Sequence, residues 1–248
     1  MKKNVLLVVL AVLLLGSIAL NVLLFRRGQQ YYSLLNAVKL DPIGLDWYGS
    51  SDMPRDTGQR RVVFFGDSRA YSWPAIPELK TYQFINRGIG NETSAQALER
   101  FDAHIAPLNP DVVIIQVGVN DLKTIPLFPE QKARITANCK ANIAAIVAKA
   151  SDLGAQVIVT TIFPLGRVPL ERKLFWSSDV AEAVDEVNAY LLTLEGENIV
   201  VFDTSIVLAD ERGVVQKAYS QDLLHLTPSG YAALNEALRP ILEDLQDK

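Results

Sequence analysis

The stretch Val62-Val63-Phe64-Phe65-Gly66-Asp67-Ser68-Arg69 decides the reading of this chain. Four consecutive apolar residues read as a short buried strand, and Gly66 ends it in a tight turn. Ser68 then falls just past a strand end, where open parallel α/β sheets keep their sites. A serine there is either a helix N-cap or a nucleophile awaiting a base.

Outward from this stretch, apolar strand patterns alternate with helical ones. Strands are expected at 62–65, 83–86, 112–117, 156–161 and 199–202, and helices at 94–105, 130–151, 178–194 and 228–245. Runs such as Val112-Val113-Ile114-Ile115 lack polar alternation, as expected of strands covered on both faces. The repetition of strand and helix implies right-handed crossovers and a parallel sheet of about five strands.

The first 27 residues are of another kind. Val5–Phe25 is almost unbroken apolar sequence, with Lys2 and Lys3 before it and Arg26 and Arg27 after it. Twenty-one helical residues span about 31 Å, the thickness of a bilayer core. A cleaved signal peptide with a cut after Ser17-Ile18-Ala19 is the alternative, but Leu20–Phe25 extends the apolar run beyond that site, which favours an uncleaved anchor. A very short tail with two lysines is expected to stay inside and the bulk of the chain to be exported. The expected division is an anchor at 1–27, a juxtamembrane segment at 28–60 with a linker at Gly49–Pro54, and a catalytic domain at 61–248. Trp47 and Tyr48 can dock either on that domain or on the lipid interface.

Without Lys2, Lys3, Arg26 and Arg27, the 24 Lys and Arg of the chain become 20 against 28 Asp and Glu, a net charge of −8. An acidic soluble part argues against nucleic acid or an anionic membrane surface as the main partner. The single Cys139 excludes an intrachain disulfide and reads as a buried structural thiol.

Three further segments carry chemistry. Asn86-Arg87-Gly88-Ile89-Gly90-Asn91-Glu92-Thr93 is a strand-to-helix loop whose glycines allow close backbone approach, with Thr93 or Ser94 as a helix cap. Its other readings are an ordinary turn or a phosphate loop, although a full phosphate fingerprint is lacking. Gly118-Val119-Asn120-Asp121 ends the third strand, where an Asn is either a turn residue or an amide aimed into the crevice beside Ser68. Asp222-Leu223-Leu224-His225-Leu226-Thr227-Pro228 places His225 just before the last helix, with Asp222 three residues back to orient it. His104, the only other histidine, has no such context and reads as a surface or helix-end residue.

Gly66-Asp67-Ser68, Asn86-x-Gly88-Ile89-Gly90, Gly118-x-Asn120-Asp121 and Asp222-x-x-His225 together resemble the four blocks of the SGNH, or GDSL-type, hydrolases, in order and spacing, from about residue 61 to the end. The resemblance implies a flavodoxin-like three-layer α/β/α fold and ester hydrolysis without a metal or other cofactor. It makes Ser68 the nucleophile, His225 the general base and then acid, and Asp222 the group that holds the imidazole. It assigns the oxyanion hole to the Ser68 N–H, the Asn120 side chain and the backbone N–H of Asn91, where the family usually carries Gly. The residue after the nucleophile, usually apolar in the family, is Arg69, expected to face solvent or to meet an anionic substrate group.

The long loop 163–176 is the candidate specificity element, with Arg167 and Trp176 joined by Tyr71 and Trp73 from just after the nucleophile. Its alternative is a loop packed down by Phe175 and Trp176. The function expected is a membrane-anchored, extracytoplasmic serine esterase acting on small-molecule or glycan esters, with O-acylated carbohydrate preferred. Lipid esters or thioesters, acyl transfer to a sugar acceptor, and a catalytically silent binding domain are the alternatives.

Overall fold

A computed structural model describes residues 2–49, 54, 58–173 and 175–245. The chain divides into two compact units, Met1–Gly44 and Leu45–Lys248. The linker expected at Gly49–Pro54 lies, apart from its two end residues, outside the described residues.

The first unit is a single helix, α1 (Lys2–Leu40), long and apolar enough to cross a membrane. It continues without a break through Ser17–Ala19 and past residue 27. The most polar residue of its apolar run is satisfied internally, since the Asn21 side-chain amide donates to Ser17 O at 2.9 Å. That i to i−4 bond is what lets a polar side chain sit in an apolar helix.

The second unit is a three-layer α/β/α fold. Strands β1 (Arg60–Gly66), β2 (Tyr82–Gly88), β3 (Val112–Gln116), β4 (Gln156–Thr160) and β5 (Ile199–Phe202) form one parallel sheet in the order β2-β1-β3-β4-β5. Between and after them run α2 (Ser68–Tyr71), α3 (Ser94–His104), α4 (Val119–Leu122), α5 (Lys132–Asp152), α6 (Asp179–Leu191), α7 (Ser205–Leu208) and α8 (Pro228–Asp244). The expected elements recur with ends shifted by at most three residues.

The strands alternate between two cores, which explains their unbroken apolar sequence. Val63, Phe65, Val113, Ile115, Val157 and Val159 face α3, α5 and α6. Val62, Phe64, Val112, Ile114 and Ile158 face α7 and α8 on the other side. Cys139 is fully buried in the first core, and burial pushes its thiol pKa up.

After β1 the chain crosses to β2 on one side, then returns to β3 on the other. The β1/β3 boundary is therefore the topological switch point, where a crevice opens at the C-terminal strand ends. Gly66 is required there. Its φ is +139°, and a Cβ would stand 1.8 Å from Gln116 O of β3.

The N-terminal division differs from the expected one. The helix extends to Leu40, and the second compact unit begins at Leu45. Tyr48 docks on this unit, with its ring 5.6 Å from that of His104.

Candidate active site

Each chemical group stands at the end of a strand or the start of a helix. Asp67 caps α2, its Oδ1 accepting the Arg69 N–H at 2.8 Å, and this presents Ser68 as the first helical residue. The long loop after β5 delivers Asp222 and His225. It turns back on itself, with the Gln221 N–H donating to His225 O at 2.9 Å, before Thr227 caps α8.

These elements bring together three residues separated by up to 157 positions. Ser68 Oγ lies 3.1 Å from His225 Nε2. On the other side of the ring, His225 Nδ1 lies 2.9 Å from Asp222 Oδ2 and 3.1 Å from Oδ1. The Leu224 and His225 N–H groups also donate to Asp222 Oδ1. Partial burial pushes the Asp222 carboxyl upward, but these bonds outweigh it and hold the group below the usual carboxylate range. An ionised carboxylate on Nδ1 fixes the tautomer that leaves Nε2 free to accept a proton from a serine hydroxyl.

The loops that follow β2 and β3, whose ends flank Gly66, carry the expected oxyanion donors. Asn120, only 3% exposed at the start of α4, spends one amide N–H on Glu92 O at 2.9 Å and has a second to give. Asn91 is left-handed, φ +64°, so its backbone adopts a conformation that Gly or Asn reaches more easily than other residues. The backbone N–H groups of Ser68 and Asn91 have no protein partner among the described residues. Asp121 is not turned to the crevice. It accepts the N–H and Oγ of Ser94, fastening the start of α3 to the β3 loop.

Two expected substrate contacts are corrected. Arg69 is fully buried; its Nε donates to Leu224 O at 2.8 Å and its Nη1 to Phe163 O at 3.2 Å. It does not face solvent; it ties the nucleophile helix to the histidine loop. Trp73 is 2% exposed, stacks on Phe64 at 5.4 Å and donates to Asn235 Oδ1. Truncating such a side chain costs about 3–5 kcal/mol of stability, so its role is in the core. Of the other candidates, Tyr71 is exposed and Trp176 packs against the first core, whereas Phe175 stands free. Arg167, Lys217 and Asp222 line a cavity of about 250 Å³ together with Pro169, Val215 and Leu223. His104 is at a helix end as expected, but buried, with Nδ1 facing Arg100 and Nε2 facing Leu45 O.

Sequence reasoning gave no role to two residues that hold the site together. The Asn86 amide donates to Ala70 O, Tyr71 O and Trp73 O, locking the end of β2 to α2. Arg100 forms a fully buried ion pair with Glu92 and reaches Gly66 O and Arg87 O. Its one sequence signal is an arginine on the apolar face of the α3 pattern, close to an acid in the preceding loop.

Residues 57–233 match the GDSL-like lipase/acylhydrolase family. The chain belongs to this family. Solved structures share its fold. An acylhydrolase-type protein of Bacteroides fragilis has 25% identity and a TM-score of 0.61, with 79% of this chain and 93% of that one covered. A GDSL-like lipase of Bacteroides thetaiotaomicron has 23% identity and a TM-score of 0.60, covering 83% and 97%. An acetylxylan esterase of Geobacillus stearothermophilus has 19% identity and a TM-score of 0.55, covering 74% and 95%. No curated protein matches the sequence. As a member of the GDSL-like family the chain is a serine hydrolase acting on ester bonds. Among the described residues, no group of three or more His, Cys, Asp or Glu is arranged to hold a metal ion.

Proposed function

We propose that this GDSL-like hydrolase is a membrane-anchored, extracytoplasmic esterase that removes small acyl groups from carbohydrate through an acyl-enzyme on Ser68. The observation that carries the mechanism is the continuous line from Ser68 Oγ through His225 to Asp222, at 3.1 and 2.9 Å.

In this mechanism His225 Nε2 takes the Ser68 proton as Oγ attacks the ester carbonyl, and Asp222 stabilises the imidazolium. The Ser68 N–H, Asn91 N–H and Asn120 amide receive the oxyanion. His225 returns the proton to the departing alcohol. A water molecule, deprotonated by the same Nε2, then releases the acid and regenerates Ser68.

Arg167, Lys217 and Ser220 help line a cavity of about 250 Å³ next to Asp222, and their polar groups suit the hydroxyls of a carbohydrate. The acetylxylan esterases among the solved structures are in keeping with this choice. An uncleaved anchor is supported by an apolar helix that runs unbroken through Ser17–Ala19, and export by Lys2 and Lys3 ahead of its apolar run.

The test is turnover by the detergent-solubilised full chain. Acetylated oligosaccharides, short and long lipid esters and thioesters are compared, with and without a sugar acceptor. Preference for the acetylated sugars with free acetate as product is expected. Preference for long-chain lipids, or acetate appearing only on the acceptor, refutes the substrate class or the hydrolytic outcome. Protease added outside intact cells should cut the domain, and N-terminal sequencing should not begin at Leu20.

A further inference from the structure

Residues Leu45–Tyr48 lie outside the part of the chain matched to the family, yet they pack behind the loop that carries Asn91. The Tyr48 hydroxyl donates to Gly88 O, at the end of β2. The Arg87 guanidinium lies over the Tyr48 ring, 4.6 Å from its centroid, and His104 meets that ring edge-on at 89°. His104 Nε2 is in turn 3.2 Å from Leu45 O. Burial pushes the Tyr48 phenol up to about 12, so it remains a donor at any ordinary pH.

Gly88 has no slack. A Cβ on it would stand 2.1 Å from Tyr71 N, and its own N–H is held by Asn86 Oδ1 at 2.9 Å. The next residue, Ile89, donates to Gly66 O at 2.9 Å. The loop and the nucleophile turn therefore move together or not at all.

From this contact a buried network leads to the oxyanion donors. Arg100 Nη1 faces His104 Nδ1 at 3.3 Å, and Nη2 donates to Arg87 O at 2.9 Å and Gly66 O at 3.2 Å. The same guanidinium clamps both oxygens of Glu92. Glu92 directly follows Asn91, and its carbonyl accepts the Asn120 amide at 2.9 Å. Two of the three expected donors thus hang on the Arg100–Glu92 pair, whose outer layer is Tyr48.

We propose that Leu45–Tyr48 is a strap that sets the geometry of the oxyanion hole, with Tyr48 as its positioning residue acting through Gly88, Arg87 and the Arg100–Glu92 pair. The inference rests on the reading of Asn91 and Asn120 as oxyanion donors. A strap of this kind acts on the transition state rather than on substrate binding, because the donors it aims engage fully only when charge develops on the carbonyl oxygen.

The experiment uses the full chain in detergent, with active sites counted by a fluorophosphonate, a short activated ester as substrate, and a trifluoromethyl ketone as tetrahedral analogue. Tyr48→Ala is expected to lower kcat per active site by roughly 10-fold, part of the ~10²-fold that a misplacement of about 1 Å can cost. KM should stay within about twofold, and affinity for the ketone should weaken by the same factor as kcat/KM. Tyr48→Phe, which keeps the ring on Arg87 and loses one hydrogen bond, should lose about threefold, the rate equivalent of a bond worth about 0.7 kcal/mol. If Tyr48→Ala does not fold, Tyr48→Phe decides. Wild-type kcat and ketone affinity in the folded variants, with only a lower melting temperature, overturn the strap. Asn120→Ala is the control. If it loses activity while the Tyr48 variants do not, the strap alone fails; if it loses none, the oxyanion reading fails and the strap with it.

Discussion

Replacing Asn120 by Ala has two consequences that the structure keeps separate. The first is catalytic. One amide N–H of Asn120 is spent on Glu92 O at 2.9 Å, which leaves the other for an oxyanion. Loss of one oxyanion donor typically costs about 3 kcal/mol of transition-state stabilisation, or ~10²-fold in kcat. The ground-state carbonyl uses such a donor weakly, so KM should change by less than about threefold. The second consequence is structural. Asn120 is 3% exposed, and its removal strands the buried Glu92 carbonyl, a loss of about 1–3 kcal/mol. For a domain of this size that lowers Tm by roughly 2–10 °C. Stopped-flow or steady-state turnover of a short activated ester, well below the melting transition and normalised to titrated active sites, separates the two. A variant that melts earlier but keeps wild-type kcat shows that Asn120 is a strut for the Glu92 loop and nothing more. A variant with raised KM and unchanged kcat makes it a substrate-binding residue. Either result refutes the oxyanion assignment.

At position 91 the left-handed backbone predicts opposite outcomes for two substitutions. Asn91→Gly should keep most activity, whereas Asn91→Val should lose much of it, since a β-branched residue disfavours φ +64°; a ~10²-fold loss in the Gly variant would assign the role to the side chain instead. Asp67 is fully buried, and burial raises its carboxyl from 3.8 to about 6. A folded-state value above the unfolded one gives stability that is present at low pH and lost as pH rises through about 6, about 3 kcal/mol at most. Asp222, held low, works in the opposite sense and is common to both proteins. Asp67→Asn should therefore raise Tm relative to wild type above about pH 6 and remove that advantage near pH 4, while keeping the α2 cap; an unchanged difference between the two pH values contradicts this. Arg69→Met should lower Tm and kcat together by loosening the histidine loop from α2, with no selective loss for anionic over neutral esters; a purely anion-selective KM effect would return Arg69 to the substrate.

The strands were legible because both faces of the sheet are covered, so each appears as an apolar run without a polar phase. Ser68, Asn120, Asp222 and His225 were legible because each sits beside a turn signal at a strand end or a helix start. What the sequence hid is direction. Arg69 and Trp73 are neighbours of Ser68 in the chain, but the short α2 helix turns both inward. Arg69 donates to carbonyls 94 and 155 residues away. Burial of an arginine on such distant backbone partners leaves no local pattern. For Tyr48 the sequence left docking on the domain or on the lipid interface open, since its partners Arg87, Gly88 and His104 lie at least 39 residues downstream. The expected domain start at 61 reflected the first strong strand, whereas the contact that joins Tyr48 to the second compact unit is tertiary.

The central claim is that Ser68 carries the acyl group, and intact-mass spectrometry tests it most directly. The full chain is mixed with a short activated ester, quenched in acid during the burst, and digested to locate the adduct. One acyl group per chain on Ser68 is predicted, absent in Ser68→Ala, whose kcat should fall by several orders of magnitude. An acyl group on another residue, or a Ser68→Ala protein that turns over like wild type, would contradict the account.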